Sequence, residues 1–136
     1  LVAVHDAARP CLDLKDLLGL MNKAQDDIKE DGQGCFLSYQ PSESINLVKK
    51  EKVSKAIDRN EVWLSATPQV FCLEDLLHAL TKAKEEEKVF SDEVSAVFNY
   101  FKKDISIYPC NRTNIKVTRK EDLETVEQYL KLSGRI

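Results

Sequence analysis

Leu1-Val2-Ala3-Val4-His5-Asp6-Ala7-Ala8-Arg9-Pro10 begins as an apolar run and ends at a proline. Leu1 to Val4 reads as a short buried strand, and Pro10 forbids its simple continuation. Asp6 and Arg9 therefore fall where a strand gives way to a loop. In open α/β sheets that is where ligands bind. Two alanines separate the charges and leave room for a bulky group near the backbone. A strand-end carboxylate that caps the next turn is the plainer account of Asp6.

Working outward, apolar residues recur at Leu14, Leu17, Leu18, Met21, Ala24 and Ile28, a helical stripe with Asp13 as N-cap. Asp31-Gly32 and Gly34 end it, and Cys35 to Tyr39 reads as a second strand. Ile45 to Lys50 and Val53 to Ile57 are short, mostly polar segments that fit a β-hairpin arm spanning about 43–62, or else a surface loop. Val62 to Ala66 is a third strand candidate, ending at Thr67-Pro68-Gln69. Leu73, Leu76, Leu77, Leu80 and Ala83 mark a helix, and Val94, Val97, Phe98 and Phe101 another, begun by Ser91-Asp92-Glu93. Ile105 to Tyr108 and Asn114 to Val117 are further strand candidates. Thr118 and Glu121 form a capping-box pattern ahead of a last helix with Leu123, Val126, Tyr129 and Leu130 inward. The alternation predicts an α/β layered fold with a mostly parallel sheet.

Composition narrows the functions available. The 136 residues suffice for one domain or part of one. A net charge of −3 provides no general attraction for nucleic acid. No apolar run approaches a membrane span, and no signal peptide is visible. Cys11, Cys35, Cys72 and Cys110 are widely spaced, and only His5 and His78 could join them, so no zinc motif is formed. Four reduced thiols of a cytosolic protein are expected. The first residue is Leu within a strand, so the chain is expected to be cut from something longer.

Polar residues gather at element boundaries: Asp6, Arg9, Thr67, Ser91, Asp92 and Lys116. A carboxylate beside phosphates can hold Mg²⁺. An arginine fork matches phosphate oxygens. Lys116, between Ile115 and Val117, either points outward or meets an anion. No catalytic triad or acid–base carboxylate pair is present.

HDAARP at 5–10, DRNEVW at 58–63, TPQVF at 67–71, SDEVSAV at 91–97 and NIKVT at 114–118 occur in the order seen in the 2-C-methyl-D-erythritol 4-phosphate cytidylyltransferases. The chain resembles that family over nearly its whole length. The resemblance implies a Rossmann-like nucleotidyltransferase sheet with a projecting β-hairpin arm, and a homodimer with arm exchange. It implies transfer of CMP from CTP to methylerythritol phosphate in non-mevalonate isoprenoid synthesis, with Mg²⁺ and release of pyrophosphate. A bacterial cytoplasm or a plastid is the implied compartment.

Residue by residue, the resemblance has Asp6 hold Mg²⁺ near the nucleotide with Ala7. Arg9, Ser44, Thr67 and Ser91 bind substrate, and Arg59 and Lys116 position the attacking phosphate. Arg59 reaches into the partner's site. The family's usual Asp-Thr-Ile-Lys stands here as Glu43-Ser44-Ile45-Asn46, so Ser44 keeps a hydroxyl while Asn46 loses a charge. Ser91 likewise replaces a threonine. The family's Gly-rich nucleotide loop precedes HDAARP, so residues 1–136 are expected to be the C-terminal part of one cytidylyltransferase domain. Two other functions fit less of the pattern: a cytidylyltransferase for ribitol phosphate, and a truncated dimerisation module without catalysis.

Overall fold

A computed structural model describes residues 1–136. Its main sheet has four strands in the order β1 (Val2–Val4), β5 (Leu64–Phe71), β2 (Gly34–Tyr39), β6 (Ile105–Pro109). The strands β1, β2 and β6 run one way, and β5 runs against them in the interior of the sheet. The expected mostly parallel sheet is therefore a mixed one, in which only β2 and β6 pair in parallel.

Helix α1 (Leu14–Lys29) begins at Asp13, whose carboxylate accepts the Lys15 amide at 2.7 Å, as its N-cap role predicts. Its apolar stripe packs Leu20 and Ala24 against Cys35, Leu37, Ala66 and Val70 on one face of the sheet. Gly19 lets this helix lie close to β6, because a Cβ there would stand 2.1 Å from the Tyr108 hydroxyl. Gly34 does not end the helix but starts β2, with φ 152, and a Cβ there would stand 2.2 Å from the Val70 carbonyl oxygen. A side chain at Gly34 has neither the dihedral angle nor the space it needs. On the other face, α2 (Leu73–Glu85) and α3 (Glu93–Phe101) cover Phe71 with Leu76, Ala79, Ala96 and Val97. Strand β1 is half-buried at the sheet edge rather than fully buried.

The third strand runs on through Thr67-Pro68-Gln69 instead of ending there. A register shift between Phe36 and Ser38 breaks the β2–β5 ladder beside Pro68, so the missing N–H costs no regular ladder bond. Residues 114–117 form no strand. Their one backbone tie to another part of the chain runs from the Val117 amide to the Ala8 carbonyl at 2.8 Å.

In α4 (Lys120–Leu132), Val126 is buried but Leu123 is 54% exposed, against expectation. Its first turn is held by Asp122, not Glu121: the Asp122 carboxylate takes the amides of Thr118 and Arg119 at 2.8 Å each. The predicted arm is present as an antiparallel pair of its own, β3 (Ile45–Lys49) and β4 (Lys52–Ile57). Only Ile45 and Ile57, its innermost pair, are even half-buried. Lys50 and Glu51 turn the chain with φ 49 and φ 61, the two positive angles a tight two-residue hairpin demands.

Candidate active site

The reversed direction of β5 builds the site. Val4 pairs with Gln69, so the chain continuing past Val4 meets β5 residues of decreasing number. Asp6 thus comes opposite Thr67, and its amide donates to the Thr67 hydroxyl at 3.0 Å. The same hydroxyl lies 3.0 Å from His5 Nδ1. The Arg9 amide closes the turn onto the Asp6 carbonyl at 3.0 Å.

Two cations converge on one carboxylate oxygen. Lys116 Nζ stands 3.1 Å and Arg9 Nε 3.4 Å from Asp6 Oδ2, while Oδ1 takes no hydrogen bond. Partial burial pushes the Asp6 carboxyl up, but the Lys116 ammonium and the Arg9 guanidinium outweigh it and hold it below its ordinary value. Asp6 is accordingly ionised at neutral pH. Arg9 is buried, and its Nη1 donates to the Asn114 carbonyl at 2.7 Å. Lys116 therefore neither lies in a strand nor points idly outward: it meets an anion belonging to this chain.

A cleft of about 440 Å³ opens beside this ion pair, between β5 and the start of α3. Asp6, Thr67, Ser91 and Lys116 all line it, which places together four residues drawn from four separate motifs. Lys88 and Glu93 line it too, the latter marked by the sequence only as part of the helix start Ser91-Asp92-Glu93. Ser91 is exposed, 3.1 Å from the Ser95 hydroxyl. Ala7 is exposed in the turn after β1, and its methyl leaves the backbone there open.

Ser44 and Arg59 are not in this cleft. They share a separate groove at the base of the arm, with Asn46 and Asp58. Arg59 is exposed and gives Nη1 to the Ser42 carbonyl. The predicted residues thus fall into two sets, a rim set and an arm set.

Beneath the cleft is a polar network that the sequence reading missed. Gln69, 1% exposed, accepts the Val94 amide at 3.0 Å and donates to Ser65 Oγ at 3.0 Å and Asp92 Oδ2 at 3.2 Å. Asp92, not Ser91, is the N-cap of α3 and accepts the Ser95 amide at 2.9 Å. Burial pushes the Asp92 carboxyl up, and hydrogen bonds from Ser95, Ser65 and Gln69 more than reverse this, leaving it lowered. The legible signal for Asp92 was its place before Glu93 and Val94. Gln69 gave none, because Pro68 made that point read as a turn.

The donor set fits a divalent metal only in one sense. No group of three potential ligands is present, so the chain offers no cage. Asp6 with its free Oδ1 suits Mg²⁺ held by one carboxylate, phosphate oxygens and water.

A sequence model described as 2-C-methyl-D-erythritol 4-phosphate cytidylyltransferase matches residues 1–132, leaving only the last four outside. Proteins of that name are similar to this chain: 37% identity over 131 residues in Mannheimia succiniciproducens, 36% over 131 in Klebsiella pneumoniae, and 31% over 129 in Vesicomyosocius okutanii. Each match covers 95% of this chain and 51–54% of the relative. The chain spans about half the length of these curated relatives. The crystal structure of the Francisella tularensis 2-C-methyl-D-erythritol 4-phosphate cytidylyltransferase superposes with TM-score 0.82 at 32% identity, over 95% of this chain and 58% of that one.

Proposed function

Since this chain belongs to the 2-C-methyl-D-erythritol 4-phosphate cytidylyltransferase family, we propose that the protein containing it transfers CMP from CTP to methylerythritol phosphate. A substrate phosphate oxygen bonds to the α-phosphorus of CTP as the bond to pyrophosphate breaks. The observation that supports this most directly is the convergence of Asp6, Thr67, Ser91 and Lys116 on one cleft. No activated nucleophile is needed, because such a reaction is accelerated by positioning and charge neutralisation.

In this reading Lys116 leaves its ion pair in part to meet the incoming phosphate. Thr67 and Ser91 hold the polyol phosphate by their hydroxyls. Arg9 serves from behind, fixing Asp6 through a guanidinium that is itself anchored on Asn114. Asp6 and the backbone at Ala7 face the nucleotide. Asp6 would hold Mg²⁺, which when bound neutralises charge on the phosphate oxygens.

The arm set belongs in this reading to the neighbouring subunit of a homodimer. Two features support it. Arg59 and Ser44 line a groove separate from the cleft of their own chain. Leu47, Val48 and Val53 are 52%, 59% and 64% exposed on the arm, apolar side chains with nothing in this chain to cover them. The protein containing this chain should release pyrophosphate from CTP with methylerythritol phosphate and Mg²⁺, and at least about 100-fold less with ribitol phosphate, since an ill-fitting polyol forfeits several hydrogen bonds at once. Equal turnover of both would overturn the substrate assignment.

A further inference from the structure

Asn114 opens the NIKVT segment, two residues before the lysine at the cleft. Its side chain is not at the cleft. It is 1% exposed, and its Nδ2 donates to the Thr67 carbonyl at 2.9 Å. Its own carbonyl accepts Arg9 Nη1 at 2.7 Å. Three segments far apart in sequence are thus tied at one residue: the turn after β1, strand β5 at its broken ladder, and the loop that carries Lys116.

That loop has little else to fix it. Residues 115–118 are neither helix nor strand. Before the Asp122 carboxylate takes the Thr118 amide at the loop's far end, the one backbone bond holding it is Val117 N–H to Ala8 O, at 2.8 Å. Lys116 is itself about half exposed, and its ammonium meets only one carboxylate oxygen. A lysine on a loop so weakly held would sample many positions, at a cost in rotamer freedom each time it was fixed. The Asn114 amide and carbonyl remove most of that freedom one step below.

The Thr67 carbonyl also explains why asparagine stands here. Gln69 pairs with Phe36 and Ser65 with Ser38, so the carbonyl of Thr67 lies within the irregular part of β5. A buried carbonyl without a ladder partner needs a side-chain donor. Asn114 supplies one, while its Oδ1 is buried and has no partner. A buried amide that leaves its oxygen unpaired is held there for its N–H.

We propose that Asn114 is the positioning residue for Lys116, joining the Lys116 loop to Thr67 and Arg9 so that the ammonium stands at Asp6 and the cleft. The proposal rests on the enzymatic reading of Lys116 given above, and the test separates the two.

Three variants of the protein containing this chain are compared: Asn114→Ala, Lys116→Ala and the double variant. Lys116→Ala should lower kcat about 100-fold, in the range found when one donor to a transition-state charge is removed. Asn114→Ala should lower kcat at least 10-fold with KM for CTP unchanged. The double variant should be no slower than Lys116→Ala, because a residue that acts through Lys116 has nothing left to position. Hydrogen exchange at the Val117 amide should accelerate at least 10-fold in Asn114→Ala. Asn114→Asp, of the same shape but without the N–H, serves if the alanine variant does not fold.

Wild-type kcat in a folded Asn114 variant, or losses that multiply in the double variant, would overturn the proposal. So would a Val117 amide that exchanges at the open-loop rate in the unsubstituted protein, a measurement that needs no variant. A Lys116→Ala variant at full rate would instead overturn the enzymatic reading of the lysine, with Val117 exchange still deciding the tie.

Discussion

The rim of the main sheet and the β3–β4 arm each carry residues the sequence marked for function, but they hold them by opposite means. At the rim, Arg9, Thr67, Gln69 and Asn114 are all buried, and each makes a hydrogen bond to another segment. In the arm no residue is buried, and Arg59 is tied only to the Ser42 carbonyl nearby. Polar groups buried at the rim must be satisfied or the fold suffers. Those of the arm are hydrated in either case. Stability and function are therefore coupled at the rim and separable in the arm.

The strongest test of that separation is Arg59→Ala. It should lower activity about 1,000-fold, as loss of an arginine that clamps a transferring phosphate does, and change stability by less than about 0.5 kcal/mol, the usual range for exposed sites. Activity assay and urea unfolding on the same preparation check both halves. Mixing Arg59→Ala with Asp6→Asn subunits then asks whose site the arginine serves. If it serves the partner's, each heterodimer has one intact site and recovers up to about half the activity by simple counting. No recovery, with subunit exchange confirmed by mass, would return the arm to its own chain.

At the rim, Gln69→Leu keeps much of the volume but leaves the Val94 amide and the Asp92 carboxylate each short of a partner. It should cost about 2 kcal/mol in urea unfolding. A neutral result would mean the network under the cleft is not structural, and the contrast between the two regions would fail.

Asp92→Asn should cost about 1 kcal/mol at neutral pH: asparagine can still cap α3, but the negative charge at the helix N-terminus and the charge-assisted bonds from Ser65, Gln69 and Ser95 are lost. Its pH dependence has a definite sign. Because the folded carboxyl sits below its ordinary value of 3.8, its contribution is complete above that value and is lost as pH falls further. Wild-type and Asp92→Asn stabilities should then converge in the acid range below 3.8, and a gap that widens there would contradict the assignment.

The smallest effect belongs to the arm tip. Replacing Lys50 by Asn and Glu51 by Gly suits their positive φ, and should stabilise the hairpin by a few tenths of a kcal/mol. Amide exchange within β3 and β4 should slow while the urea midpoint of the whole chain stays put. A shift of that midpoint would show the arm to be coupled to the sheet.

These contrasts also explain what could be read beforehand. Helix α1 was legible because a polar cap and a 3.6-residue stripe both act locally. The arm was legible because its polarity excluded it from the core, although its turn was hidden: Lys50-Glu51 carries none of the Asn or Gly that positive φ favours. Asp6, Thr67, Ser91 and Lys116 could be named as a set, but their meeting depends on the antiparallel course of β5, and only long-range pairing determines that. Pro68 read as the end of a strand because a break in the opposing ladder is invisible in its own sequence. Asn114 to Val117 read as a strand because apolar alternation says nothing of where backbone partners lie. The buried roles of Gln69 and Asn114 left no trace, since a polar side chain inside and one outside are spelled alike.

The reversed strand has a consequence for how the chain comes together as it is made. Within this chain β1 and β2 are not neighbours, and each touches β5. Val2 pairs with Phe71, across just over half the sequence. Strands β1 and β2 emerge during synthesis before the strand that joins them, while β3 and β4 can close on each other at once. Assembly of the sheet waits for residue 71, and the cleft is completed only when the loop bearing Asn114 and Lys116 arrives still later. Within residues 1–136, the part proposed to reach for another subunit therefore takes shape before the part that would receive it.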